Sequence, residues 1–279
     1  MGKGTHQQIL SSRQTKMKIV LIGAGNLATN LGRALTAAGH PIEMVYSRTE
    51  ESAVCLASRL GCRATSSLDK VAEDAGLYIV ALKDSALTEV LPRLLTPARR
   101  QALWVHTAGS VPMDIWREYG ASRYGVFYPL QTFSKEREVD FAEVPFFLEA
   151  SGRMEMDILR QLAGTMSRHI HEADSVQRKA LHLAAVFVCN FTNAMYAAGA
   201  RLLEEQGIGF ETMLPLIDET ARKVHSLHPA VAQTGPAVRY DQGVMGSHLE
   251  ALSSHPLYRD VYALVSRMIH ETCKEREAL

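Results

Sequence analysis

The sequence predicts an α/β protein: a doubly wound parallel sheet followed by an all-helical domain. Three observations carry this. From Met17 onward, short apolar runs alternate with longer amphipathic ones, as parallel strands linked by crossover helices do. The first apolar run ends in a glycine-rich turn that enters a helix. After Gly152 strand signals disappear, and the remaining segments favour helix.

Taken in order, Lys18 to Ile22 is the first strand, and Asn26 to Ala38 a helix closed by Gly39, where a left-handed cap is common. Ile42 to Tyr46 is a strand, Glu50 to Leu60 a helix, and Leu77 to Leu82 and Leu103 to His106 are further strands. Tyr124 to Tyr128 and Pro145 to Glu149 extend the sheet to about residue 150, with the irregular segment Pro129 to Phe133 after the first. Met154 to Arg168, Ser175 to Gly207, Phe210 to Leu227 and Gly246 to the C-terminus read as helices. Pro229 to Gly246 reads as an irregular loop. The expected organisation is a flexible leader over 1–16, a sheet domain over 17–173 and a helical domain over 174–279.

A chain of 279 residues that is 47% hydrophobic can bury a proper core. Lysine plus arginine and aspartate plus glutamate both number 30, so no excess positive charge exists to displace counterions, and no nucleic-acid partner is expected. Cys55, Cys62, Cys189 and Cys273 form no CxxC pair and read as reduced thiols of a cytoplasmic protein. Met1 to Lys16 lacks a signal-peptide core, and the apolar runs elsewhere read as too short to span a membrane. No metal is expected from His169-Ile-His171 or His225-Ser-Leu-His228, which lack carboxylates or cysteines nearby.

Gly23-Ala24-Gly25-Asn26-Leu27-Ala28 has the GxGxxA form between first strand and first helix, where a Rossmann-type sheet binds a dinucleotide. Gly23 permits the tight turn, Gly25 lets the backbone approach a diphosphate, and Ala28 lets the helix pack closely on the strand. Free amides and the positive end of the helix dipole then face the anion, with Asn26 and Leu27 in the first turn. An NAD site usually places an acid after the second strand; here Tyr46 is followed by Ser47, Arg48 and Thr49. Arg48 pairs with a 2′-phosphate on this reading, which favours NADP; the alternative is an exposed charge at a helix start. Leu82, Lys83-Asp84-Ser85 and His106 to Ser110 follow later strands and are expected at the same crevice, although His106 reads equally well as an ordinary loop histidine.

On the long helix, Lys179, His182, Asn190 and Asn193 fall within an arc of roughly 80° at 100° per residue. A polar stripe on an apolar, inward-facing helix points to a reaction site, a buried network or a subunit interface. On the first reading, His182 or Lys179 supplies a proton and Asn190 and Asn193 orient a substrate. Arg239 reads as an anion clamp or, more simply, as part of an Arg-Asp surface turn with Asp241.

Five segments together carry a resemblance: Gly23 to Asn26, Tyr46 to Thr49, Tyr128 to Phe133, the helix from His182 to Asn190, and Thr234-Gly235-Pro236 with Arg239 and Asp241. From Met17 to about His270 the chain resembles the Rossmann-like NADP oxidoreductases with a C-terminal helical domain of unknown function. That group is similar in layout to pyrroline-5-carboxylate reductase and to the β-hydroxyacid dehydrogenases. The resemblance implies NADP(H), a helical domain like the C-terminal one of 6-phosphogluconate dehydrogenase, and a homodimer built through it. Two departures stand out. The β-hydroxyacid enzymes place a catalytic lysine four residues before an asparagine, whereas here Val186 precedes Asn190 and Cys189 precedes Asn193, with Lys179 too far upstream. Tyr240 stands where the family's Arg-Gly-Asp-like loop leads one to expect glycine.

The expected function is hydride transfer between NADP(H) and a small polar carbonyl or imine compound. Gly23, Gly25, Asn26, Leu27, Ser47, Arg48, Thr49 and Leu82 are expected to hold the cofactor, and His106, His182, Asn190 and Asn193 to form the reaction site. The alternatives are an NADP(H)-binding sensor without turnover and, ranked last, a deazaflavin-dependent NADP reductase. No membrane partner is expected.

Overall fold

Strand β1 (Ile19–Ile22) sets the layering: Ile19 and Leu21 face one core, Val20 and Ile22 the other, and all four are wholly buried. A strand covered on both faces reads as an unbroken apolar run, which is why it was legible as a parallel strand. The structure, a computed structural model, describes residues 17–277, so the leader expected over 1–16 lies outside the described residues. One face of the sheet carries helices α1 (Asn26–Ala37) and α2 (Glu50–Leu60), joined later by α5 (Arg153–Gly164). The other carries α3 (Asp84–Leu94) and the short α4 (Ile115–Glu118).

The sheet has eight strands in the order β3-β2-β1-β4-β5-β6-β7-β8. The remaining strands are β2 (Ile42–Tyr46), β3 (Arg63–Thr65), β4 (Leu77–Val80), β5 (Leu103–His106), β6 (Arg123–Pro129), β7 (Phe146–Ala150) and β8 (Ile170–Glu172). Strand order reverses between β1 and β4, and there the loops after both strands open a crevice at the carboxyl edge. Register aligns that edge: Ile22 lies beside Tyr46 and Val80, and Val80 beside His106.

Three sheet features differ from expectation. β3 and β8 are three-residue strands at the two edges, too short and too exposed to leave a periodic signal. β8 also extends the sheet beyond Gly152, where no strand was expected. Finally, β7 runs antiparallel to β6, because only a short 3-10 turn, Phe141–Glu143, stands between them and no crossover helix is available.

The long helical segment comprises α6 (Ser175–Ala185), a π-helical stretch Val186–Phe191, and α7 (Thr192–Glu204). The chain forms two compact units that divide within this segment, between Cys189 and Asn190, later than the break read near Ala173. By length and composition the helix Ser175–Glu204 is able to cross a membrane, which corrects the reading that every apolar run is too short. Its first turns are nevertheless bonded into the sheet unit through Arg178 and His182.

In the second unit, the segment read as one helix from Phe210 begins as a 3-10 turn, Phe210–Met213, and continues as α8 (Leu214–Lys223). The loop over Pro229 to Gly246 contains the short helices α9 (Pro229–Ala232) and α10 (Pro236–Arg239). The C-terminal segment is two helices, α11 (Gln242–Ala251) and α12 (Pro256–Glu277), because Pro256 starts a new helix where it needs no donor. Tyr240 has φ +52, the left-handed conformation in which the resemblance led one to expect glycine.

Candidate active site

The glycine turn is fixed by backbone. Gly23 has φ +124, donates its N–H to Tyr46 O at 2.7 Å, and leaves no space for a side chain, since a Cβ there would stand 2.3 Å from Ala81 O. The turn is thereby wedged between the ends of β2 and β4. Gly25, at the N-cap of α1, differs: φ is −78 and a Cβ would meet nothing within 4 Å. No side chain caps this helix, so its first amides face the same open space. Open space over uncapped amides is suited to a dinucleotide diphosphate. Leu82 lies beside the turn, with Cδ2 3.4 Å from the Gly23 Cβ position. After β2, Ser47 is half-buried and ties its N–H to Thr65 O, while Arg48 and Thr49 are exposed at the start of α2.

Further along the edge, the groups are side chains. Tyr128, near the end of β6, shares a hydrogen bond of 3.2 Å with His182 Nδ1 on α6. Burial pushes the Tyr128 phenol up to about 12; the carboxylate of Asp84 acts in the same direction and the charge of Arg178 against it. The phenol therefore keeps its proton throughout the neutral range. Gly109, in the loop after β5, packs flat on His182: a Cβ at 109 would come within 2.7 Å of Nδ1. Asp84, the first residue of α3, accepts a hydrogen bond from Ser110 in that same loop. The end of β6 and the loop after β5 thus meet α6 at one corner, with the start of α3 bonded to that loop.

A buried ion pair holds α6 in place. Arg178, one turn before His182, is wholly buried; it pairs with Glu149 of β7 and donates to Val111 O at 2.6 Å. Ser175 donates to Glu149 and accepts the Met113 N–H at 3.0 Å. A reciprocal capping box begins the helix: Asp174 accepts from the Gln177 N–H, and Gln177 Oε1 accepts from the Asp174 N–H.

Of the residues expected at the site, His182 lies at this corner, and the glycine turn, Ser47, Arg48, Thr49 and Leu82 lie at the carboxyl edge. His106 requires a correction. It is 0% exposed, stacks on Trp116, and accepts the Ala108 N–H at Nδ1, so its ring is packed into the core and not presented at the crevice. Burial, with Arg178 adding to it, drives its basicity down to about 3, which leaves a neutral structural imidazole.

The polar stripe also changes. Lys179, Asn190 and Asn193 are exposed, and the π-helical stretch between His182 and Asn193 alters the turn, so a uniform 100° step does not carry one face through. The helix, read as buried, exposes Leu183, Val188 and Met195 by 60%, 74% and 45%. Arg178 and Tyr128 were the groups missed. Arg178 stands four residues before His182, the spacing that shares a helix face, whereas the reading took its neighbour Lys179. In the second unit, Arg239 is exposed, and Asp241 caps α11 by accepting the Val244 N–H.

Residues 18–108 match the family model described as NADP oxidoreductase coenzyme F420-dependent, and 144–269 match Domain of unknown function (DUF2520). No curated protein matches the chain. Among solved structures, a candidate NADP oxidoreductase from Bacteroides fragilis is 57% identical over 92% of this chain and 98% of its own, with a TM-score of 0.89. A reductive aminase from Aspergillus terreus, in complex with NADPH and ethyl levulinate, is 17% identical over 92% and 95% of the two chains, with a TM-score of 0.68. A pyrroline-5-carboxylate reductase from Coxiella burnetii is 17% identical over 93% and 98%, with a TM-score of 0.57. The last two share the fold.

Proposed function

From the premise that this chain belongs to the NADP oxidoreductase family of the Bacteroides fragilis protein, we propose that it transfers a hydride between NADP(H) and a small polar carbonyl or imine compound. The observation that carries the proposal is the Tyr128–His182 hydrogen bond, held at the carboxyl edge of the sheet whose first turn is open to a diphosphate. Gly23, Gly25, Asn26 and Leu27 present amides to the diphosphate, Arg48 with Ser47 and Thr49 takes the 2′-phosphate, and Leu82 gives an apolar wall. NADPH, when bound, supplies the hydride. Reduction of a C=O or C=N bond also needs a proton at the heteroatom, and the protonated Tyr128 phenol is suited to deliver it, with His182 restoring the proton afterwards.

The test is NADPH oxidation across a panel of keto and imino acids by the parent and by His182→Ala. Turnover that falls in the variant supports the proposal; tight NADPH binding with no turnover across the panel replaces it with a sensor. A second reading, transfer between NADP(H) and a deazaflavin, is favoured by the description of the matching N-terminal family. Quenching of deazaflavin fluorescence on mixing would support it.

We also propose a soluble, cytoplasmic homodimer that interacts with neither nucleic acid nor membrane. Helices of both units expose large apolar side chains, among them Leu183, Val188, Leu216 and Leu264, which a second copy of the chain would cover. Light scattering after size exclusion tests this, and a monodisperse monomer at micromolar concentration would overturn it.

A further inference from the structure

The buried ion pair of α6 is unused by any step above, yet it stands one helical turn from the group that matters most. We infer that Arg178 is the positioning residue of the site: its guanidinium, gripped by Glu149 and the Val111 carbonyl, sets how closely the loop after β5 approaches α6 and so fixes the Tyr128–His182 hydrogen bond. The inference rests on the proposed reading of His182 and Tyr128 as the proton-handling pair.

Three observations support it. Arg178 is fully buried and joins three elements that are distant in sequence: β7 through Glu149, the loop 109–113 through Val111, and its own helix. Ser175 reinforces the same joint, accepting the Met113 N–H while donating to Glu149, so loop and helix start are tied twice. The tolerance at the joint is small. Gly109, two residues before Val111, already lies so close to the His182 ring that a Cβ would come within 2.8 Å of Cβ and Cγ. Any relaxation of the loop moves the surface on which His182 rests. Lysine is no substitute, because a point charge cannot hold a carboxylate and a carbonyl in the fixed directions of the guanidinium fork.

The test uses the full-length chain. Arg178→Met combined with Glu149→Met removes both charges together, which avoids stranding a buried carboxylate and keeps the fold accessible. The ¹⁵N signal of His182 Nδ1 in histidine-labelled protein reads the tyrosine bond, with Tyr128→Phe giving the reference for its loss. The expected result is an Nδ1 signal moved to the Tyr128→Phe position and a kcat lowered roughly tenfold to a hundredfold, as a misplacement of about 1 Å produces. NADPH affinity should stay within about twofold, since the glycine turn shares no partner with the pair. A folded double variant that retains the parent Nδ1 signal and kcat overturns the proposal.

If the double variant does not fold, Arg178→Lys decides: it keeps the charge and gives up the fork, so the signal should shift, and an unshifted signal is equally fatal. Should the parent turn over no substrate, the reductase reading falls while the Nδ1 signal still tests the positioning role.

Discussion

The two ends of the sheet's carboxyl edge are built by opposite means. At the β1 end, side chains are removed: Gly23 has no room for one, Gly25 stands under open space, and the chemistry is left to amides. At the β6 end, side chains are supplied and buried: Tyr128 and His182 bond one another against Gly109, with Arg178 and Glu149 behind them. The first device is made of backbone, a short turn seated against Tyr46 O and Ala81 O. The second is made of side chains, with hydrogen bonds between residues up to 67 positions apart, the separation of Arg178 and Val111. A backbone device can tolerate a change at one position and fail at the next, whereas a side-chain device fails in proportion to the bonds removed.

The sharpest way to break the comparison is within the glycine turn. Gly23→Ala forces a Cβ to 2.3 Å from Ala81 O at a φ of +124, so stability should fall by about 3 kcal/mol or more in urea unfolding. Gly25→Ala has φ −78 and open space, so stability should stay within about 0.5 kcal/mol while NADPH affinity drops about tenfold. Equal stability losses at the two positions would refute the division of labour between them.

His106 gives the next largest effect and sharpens the contrast between core and corner. Its basicity is held down to about 3 by burial, whereas the unfolded chain protonates near 6.5. The folded state thus refuses a proton that the unfolded state accepts, so the stability present above pH 6.5 is lost as pH falls toward 3. Between pH 7 and pH 4 the loss from this residue is about 3 kcal/mol. His106→Gln should flatten that part of the acid stability curve, and an unchanged slope would mean that the imidazole is not sealed in the core.

The same difference explains what was legible in the sequence. β1, α1, β2 and α2 could be read because burial on both faces gives strands unbroken apolar runs, and because the glycine turn carries its own sequence rule. β3 and β8 were invisible because three residues, two of them exposed in each strand, pair only when a neighbour strand is already present. His182 was found from its helix, but its partner Tyr128 lies 54 residues away, and no periodicity records a contact of that range. His106 shows the same limit: a strand end brings a residue to the carboxyl edge, the sequence leaves a site role and an ordinary histidine equally open, and only the packing against Trp116 shows that the ring is buried. The stripe failed where the π-helical stretch broke the constant turn on which it depended.

At the corner, Tyr128→Phe deletes one oxygen and leaves the ring packed, so the proposed proton delivery should suffer more than the fold. A kcat about a hundredfold lower, with little change in melting temperature, is the expected outcome in steady-state kinetics and calorimetry. A fall in stability without a fall in kcat would make Tyr128 a packing residue and leave proton delivery to His182.

The smallest effect belongs to Arg48, because it is exposed and its partner is solvated. One charge-assisted contact to a 2′-phosphate is worth about 1.4 kcal/mol under such screening, a tenfold change in affinity. Arg48→Ala should weaken NADPH binding by about that factor in calorimetry, more at low salt than at high, and leave NADH binding unchanged. Equal losses for both nucleotides would assign Arg48 to the start of α2 and remove the ground for choosing the phosphorylated cofactor at this end of the sheet. The role proposed for the glycine turn would be untouched by that outcome, since its uncapped amides are offered to the diphosphate that the two nucleotides share.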